Sequence, residues 1–484
     1  MKVCVLLHYP GYVRYFDSVF AELLARGHEV HLAFNGNWKQ PEGLATLPED
    51  HPRLTVDFED FPTRADGFYF VAKSIRGTAD YVRYLDRRFK DTPWLRGRME
   101  GALPKGLKFL AKSPSLPSGL VKLMRRYLVR SEARRVPSAK VVEDYLLDVA
   151  PDLLIVSPLV NKRSWQTDAI KSAQVLGIPA ALCVASWDHL TTKGALRIRP
   201  DKVFVWNPIQ EREAIELHDL RRSEIVVTGA QPFDKWFDRE PSTSRDAFLS
   251  KVGLPNDKQF VLFVGSTSSI SEPRREVDFV RRWLAELRAS DGPLRDIAVL
   301  IRPHPFNTEL WKTTEIDDPL VTIFPKAGAN PVDEGDRADY FDTIFHSAAV
   351  MGINTSAMVE ATILDRPVLT ILDGDFEDTQ EGTLHFQYLL PENGGFLEVA
   401  RTIGEHVGQL ERVVSDSEPY RRRVAAFVDR FVRPHGREDN ATRRLVNALE
   451  EMALSVPGRS AELPASVKPQ QTEEAQTVTD HVGI

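Results

Sequence analysis

The chain opens on a continuous apolar run, KVCVLL (2–7). The loop HYPGYVR leads into YFDSVFAELLARGH, whose apolar positions recur every three to four residues, and then into EVHLAF. A short apolar run bounded by turn residues predicts a buried parallel strand, and the 3.6-residue period predicts a helix, here ended by Gly27. Together they predict a βαβ unit. The alternation resumes after residue 137 with helix AKVVEDYLLDV, strand LLIVS, helix SWQTDAIKSAQVLG, strands IPAALCVAS and KVFVWN, helix IQEREAIELHDL and strand EIVVTG. Such a pattern closes one doubly wound parallel sheet by about residue 230.

From Asp238 the chain turns polar in DREPSTSRD, and after GLPNDKQ a fresh apolar run, FVLFVG, begins. The second half repeats the first: helix EVDFVRRWLAELRA, strand IAVLI, the loop RPHP, strand LVTIF, helix YFDTIFHSA, strand AVMGI, a helix from GINTSAMVEAT, and strand VLTIL. The pattern divides the chain into a first Rossmann-like domain (1–237), a second (246–433) and a terminal helix (434–455). Residues 456–484 carry no aromatic side chain and are rich in Ser, Glu, Gln, Thr and Pro, so a disordered tail is expected there. Two such sheets in one α/β chain face each other across a cleft. Residues 63–140 fit neither sheet and read as a helical insertion in the first domain.

Composition adds three things. At 484 residues with 42% hydrophobic and 27% charged residues, the chain has room for two cores. Its two cysteines, Cys4 and Cys183, both sit in apolar runs, where buried reduced thiols suit a reducing cytosol better than a disulfide does. The amino terminus is too short in apolar residues for a signal peptide and no run is long enough to span a membrane, so a cytoplasmic protein is expected. Charge is uneven: residues 96–140 hold twelve Lys or Arg against Glu100 and Glu132 on a chain whose net charge is −7. That segment suggests a local anionic partner and not general nucleic-acid binding. In SGLVKLMRRYLVR, Leu120, Leu123, Met124, Tyr127 and Leu128 share a helical face, with Lys122, Arg126 and Arg130 elsewhere. This suits either a helix resting on an anionic membrane or an ordinary basic surface helix.

Open α/β sheets bind ligands beyond the carboxyl ends of their strands, so the strand-exit loops carry the candidate chemistry. In GINTSAMVEATILDRPVL, Asn354, Thr355 and Ser356 stand at a helix start, an anion site by its free N–H groups and dipole, with Glu360 one turn further on. The same residues are also explained by simple capping. GSTSSIS brings Ser266 and Thr267 to the exit of the first strand of the second domain, though Gly/Ser loops are common turns. In RPHP, prolines restrict the backbone around His304, and Arg302 offers a permanent fork of donors to phosphate. In the first domain, His8, Asp188 and His189 leave strands on the cleft side, where a base for an acceptor hydroxyl belongs; burial or capping accounts for them equally. No G-x-S-x-G, G-x-x-x-x-G-K-[ST], first-strand G-x-G-x-x-G, H-E-x-x-H or paired C-x-x-C is present, which removes the usual signatures of several other chemistries.

These motifs, with FEDTQEGTLHFQYL, ASWDHLTTKG and VVTGAQPFDKW, resemble the GT-B glycosyltransferases, in particular the surface-polysaccharide, capsule and glycerophosphotransferase-like branch. The resemblance covers most of residues 1–450 but lacks the GGxGGH-type first loop of the best-known sugar transferases. It implies a metal-independent enzyme without cofactor, moving a sugar from a nucleotide-sugar donor to a glycan or lipid-linked acceptor, with inversion. Work at the inner membrane face, with residues 96–140 on anionic lipid, goes with that expectation. The resemblance further implies that Ser266 and Thr267 approach the diphosphate, Arg302 and His304 the phosphate or sugar, Asn354, Thr355 and Ser356 the phosphates, and Glu360 the ribose. His8 or Asp188 then supplies the base. A nucleotide-sugar 2-epimerase of the UDP-GlcNAc type shares the design, and a non-catalytic polysaccharide-assembly protein is the third reading.

Overall fold

The structure is a computed structural model that describes residues 1–35 and 41–455; the tail expected at 456–484 lies outside the described residues. The first sheet contains β1 (Lys2–Leu7), β2 (Glu29–Phe34), β3 (Leu54–Asp60), β4 (Leu153–Ser157), β5 (Ala180–Cys183), β6 (Lys202–Val205) and β7 (Ile225–Val227). Their order is β3-β2-β1-β4-β5-β6-β7, every pair parallel. The second sheet contains β8 (Phe260–Val264), β9 (Ala298–Arg302), β10 (Val321–Ile323), β11 (Ala349–Gly352), β12 (Val368–Ile371) and β13 (Glu398–Ala400), in the order β10-β9-β8-β11-β12-β13. It too is parallel throughout. The two doubly wound sheets are thus those the apolar alternation implies. β3 and β13 add to that pattern: β3 is an acidic edge strand and β13 has only three residues, so neither forms an apolar run.

Parallel strands covered by helices on both faces must be apolar on both faces, and β1, β4, β8 and β9 are buried almost throughout. A further apolar seam joins the domains: Trp187, Trp206 and Phe233 share one cluster with Leu262, Val264 and Met358. After the second sheet the chain recrosses, and the helix Ala441–Leu454 inserts Leu445, Val446 and Leu449 into the core beside Val3, Val5 and Leu7. Glu450 of that helix accepts from Arg26 at 2.8 Å and contacts His28 Nε2 at 2.7 Å. Each fully buried apolar side chain contributes about 1.5–3 kcal/mol, which ties the end of the chain to its beginning.

The insertion folds as three helices, Tyr69–Arg83, Pro93–Glu100 and Ser118–Arg135, over a core that includes Tyr81, Tyr84, Phe89, Leu95, Met99 and Val121. Arg76, wholly buried, is held by Glu132 at 2.7 Å and by both oxygens of Asp168 at 2.7 and 2.8 Å. Part of the basic density is therefore internal or paired. Arg125 is buried on the Leu217 carbonyl, and Lys122 and Arg126 meet Asp219 at 2.8 and 2.7 Å. The apolar face of the third helix divides as well. Met124 and Leu128 pack inward, whereas Leu123 and Tyr127 are 62% and 63% exposed.

Candidate functional site

Each sheet reverses its order between two strands, β1 and β4 in the first and β8 and β11 in the second. The loops leaving β8 and β11 flank the second of these points, where the diverging connections open a crevice. Gly265 lets the neighbouring loop come close, since a Cβ there would lie 2.8 Å from the His304 nitrogen. Beneath the loop, Glu276 accepts from the Ser266 N–H at 2.9 Å, Trp311 Nε1 at 3.0 Å and Asn307 Nδ2 at 3.3 Å. Burial pushes its carboxyl up to about 7 against the pull of the Ser266 and Trp311 donors. This tether turns Ser266 inward. The serine is fully buried, its hydroxyl accepts from the Asn354 N–H at 3.3 Å, and Gly265, Thr267 and Ser269 line the cavity instead.

At the exit of β11, Thr355 is the extended N-cap of the helix Ser356–Ile363, with no side-chain cap on its free N–H groups. Asn354 spends its amide on the Thr379 carbonyl at 2.5 Å, and Ser356 Oγ accepts from Trp187 Nε1 across the domains at 3.2 Å. All three residues line the cavity, as does Glu360. The Glu360 carboxylate accepts from the Tyr340 hydroxyl. Burial raises its pKa, opposed by Tyr340 and Arg14.

Arg302 lies over the Tyr340 ring, 5.0 Å from its centroid. It is 5% exposed; Nη1 reaches Thr343 Oγ1 at 3.2 Å, while Nη2 is buried without a hydrogen-bond partner. Among the described residues no carboxylate comes within ion-pair distance of it. His304 accepts the Phe306 N–H on Nδ1 at 3.1 Å, and burial, reinforced by Arg14, lowers its pKa to about 4. Arg14 reaches over from the first domain to Asn330 Oδ1 at 3.1 Å and also donates to the Tyr15 hydroxyl at 2.7 Å.

On the first-domain wall, Asp188 accepts from Ser186 Oγ at 2.6 Å and Thr192 Oγ1 at 2.8 Å. Burial works against its ionisation, yet His189, Lys193 and His385 together hold the carboxyl well below the usual carboxylate range. His189 stacks on Tyr12 and His385 packs edge-on to Trp187; burial lowers them to about 3 and about 4, and Nδ1 of each has no partner. His8 is not among the residues that line the cavity. Its ring packs against Tyr9 and Tyr12, and those tyrosines face the cavity in its place. Asp17 bridges the domains, meeting Lys235 at 2.6 Å and Arg337 at 3.0 Å. The insertion reaches the same space through Trp94 and Arg98, whose guanidinium lies 4.7 Å from the Trp94 ring centroid.

These groups enclose a cavity of about 470 Å³ between the domains, lined by seven Arg or Lys and three Asp or Glu side chains. That size and excess of positive charge suit a nucleotide-sized anion. The structure brings together Asp188, Thr267, Arg302, His304, Asn354, Thr355, Ser356 and Glu360, and leaves His8 and Ser266 off the wall. Arg14, Tyr340, His385, Trp94 and Arg98 are additions. Arg14 could have been found by its place in the first strand-exit loop, whereas nothing local distinguishes Tyr340, His385, Trp94 or Arg98. Among the described residues, no group of three or more His, Cys, Asp or Glu is placed to hold a metal ion.

No protein-family model matches the chain, and a search of curated proteins finds no match. Solved structures do match. UDP-GlcNAc 2-epimerase from Methanocaldococcus jannaschii aligns at TM-score 0.51 and 14% identity over 93% of this chain and all of that one. The S. aureus MnaA–UDP structure aligns at 0.51 and 13% over 93% and 96% of the two chains. The Neisseria meningitidis UDP-GlcNAc 2-epimerase bound to UDP-GlcNAc aligns at 0.50 and 12% over 93% and 100%. The fold is of the GT-B type. At these identities the likeness is one of fold, and the activity of this GT-B chain rests on its own residues.

Proposed function

We propose that the protein is a GT-B glycosyltransferase that moves a sugar from a nucleotide-sugar donor to a glycan or lipid-linked acceptor of the cell envelope. One observation carries the choice: the insertion, which neither sheet requires, brings Trp94 and Arg98 to the cavity wall and so adds an aromatic face and a cation with which a second substrate can be recognised. In this reading the diphosphate lies at the uncapped end of the helix Ser356–Ile363, within reach of Arg302 and Arg14, and Glu360 meets the ribose. Charge developing on the departing diphosphate is offset by that helix end and by the two guanidinium groups, so the reading calls for no metal. Asp188, ionised at neutral pH, receives the acceptor proton. The acceptor oxygen bonds to the anomeric carbon as the bond to the diphosphate oxygen breaks, with inversion.

The 2-epimerase reading draws on the fold neighbours, and its chemistry needs an acid and a base around sugar C2. The first domain offers the cavity two carboxylates, Asp17 and Asp188, the one paired with Lys235 and Arg337, the other held at low pKa. That supply favours transfer. The purified protein with UDP-GlcNAc alone should form no ManNAc; its appearance would replace transfer with epimerisation. With a donor identified by thermal-shift screening of UDP-, GDP-, CDP- and dTDP-sugars, Asp188→Asn should lower kcat about 100-fold or more while donor affinity stays within about twofold. Glycan output in cells that is indifferent to both Asp188→Asn and Arg302→Ala would favour an assembly protein that keeps only the fold.

A further inference from the structure

A second cavity, about 670 Å³, opens at the hinge, separate from the one between the sheets. Its walls come from the segment that leaves the first domain (Trp236–Glu240), the end of the helix Ser356–Ile363, and the segment that returns to the first domain (Arg433–Arg443). Both chain crossings therefore border it. Six arginines line it against four carboxylates, of which Asp238, Glu240 and Glu438 are solvent-exposed.

Internal structure accounts for part of this charge. Arg433 is 4% exposed and meets Asp234 at 2.7 Å, and Arg437 meets Asp429 at 2.7 Å and Asp365 at 3.9 Å. Three donors remain: Arg366 Nε, Arg433 Nε and Arg437 Nη2 are buried without a hydrogen-bond partner. Arg366 donates to the Ser347 carbonyl at 3.2 Å and lies 5.5 Å from the Phe345 ring centroid, and Arg421, with no ion pair among the described residues, stands close enough to depress its basicity beyond the effect of burial. A buried donor without an acceptor is costly, and the crevice wall holds more arginines than carboxylates, with Arg366 and Arg421 not ion-paired among the described residues, an excess that a multidentate anion would offset.

We propose that this hinge crevice is a second anion site, one that takes a small phosphate-bearing molecule. Trp236 and Arg239 line both cavities, and the helix that offers its amino end to the first ends at the second. An anion bridging the two chain crossings would thus sit at the junction of the two domains.

The probe is inorganic pyrophosphate, titrated calorimetrically into the full chain at fixed salt. Two binding events are expected. Arg366→Gln/Arg421→Gln should remove one and spare the other, and Arg302→Ala should do the reverse. Arg421→Glu, at an exposed position, should weaken the hinge site alone by about tenfold or more, the scale of one charged hydrogen bond. A single event abolished by Arg302→Ala, two events indifferent to the hinge variants, or no binding at all would overturn the proposal. Because Arg302→Ala reads the cleft and the hinge variants read the crevice, failure here is separable from failure of the transferase reading.

Discussion

Replacing Arg302 with methionine separates binding from stability by the sign of each effect. The guanidinium is buried, has one side-chain hydrogen bond to Thr343, lies on the Tyr340 ring, and has no carboxylate partner to offset its desolvation. Burial lowers its pKa, with partial relief from Tyr340, Asp339 and Asp336. Methionine keeps much of the stem volume and removes the charge, so the cost of burying an unpaired cation goes with it. The free protein should lose no stability and its melting temperature should hold or rise. Binding should move the other way. Charged hydrogen bonds to a phosphate are worth about 1.5–3 kcal/mol, and at 1.4 kcal/mol per decade the loss is about 10- to 150-fold in Kd. Calorimetric titration of UDP, the nucleotide of the S. aureus fold neighbour, or of whichever nucleotide the thermal-shift screen selects, supplies the affinity, and differential scanning calorimetry supplies the stability. Unchanged nucleotide affinity would refute the assignment of Arg302 to the phosphates; a lower melting temperature with unchanged affinity would make it a structural arginine.

Glu360→Ala should weaken nucleotide binding by roughly tenfold, the worth of one charged hydrogen bond, while Tyr340→Phe, which removes the hydroxyl on that carboxylate, should cost less. Equal effects of the two would return Glu360 to a packing role. His304 and His385 titrate near 4 in the folded chain against an ordinary 6.5. The folded state then binds fewer protons than the unfolded one in that window, so stability should fall as pH drops from 6.5 toward 4, by up to about 1.4 kcal/mol per histidine per pH unit. Urea unfolding across the window should show a shallower loss in His385→Gln; an identical slope would mean that this ring is hydrated. On the insertion, Leu123 and Tyr127 are exposed beside a basic surface, so Leu123→Glu/Tyr127→Glu should reduce cosedimentation with phosphatidylserine liposomes several-fold. Cosedimentation indifferent to anionic lipid would contradict that docking face. Glu276→Ala should destabilise by about 2–4 kcal/mol, because it strands the buried donors of Ser266 and Trp311; a loss below about 1 kcal/mol in chemical unfolding would show that the loop re-forms without it.

Local pattern sufficed for eleven of the thirteen strands, all but β3 and β13. Runs such as KVCVLL and FVLFVG can be buried on both faces only in a parallel sheet under helices, and the turn residues between them place the ligand-facing loops at strand exits. This is why GSTSS, RPHP and GINTS stand out in the sequence itself. What escaped the sequence is direction and partnership. Ser266 stands one residue from Thr267 yet turns inward, because Glu276, ten positions later, takes its N–H. His8 leaves its strand on the cleft side and packs on Tyr9 and Tyr12, and it is those tyrosines that line the cavity. The approach of Tyr340 to Glu360 and of His385 to Asp188, and the reach of Trp94 and Arg98 from the insertion into the cleft, depend on how distant segments pack. Hydrophobic periodicity encodes which face of an element is buried; it does not encode which side chains from separate elements meet, and the charge balance of the cavity is set by those meetings.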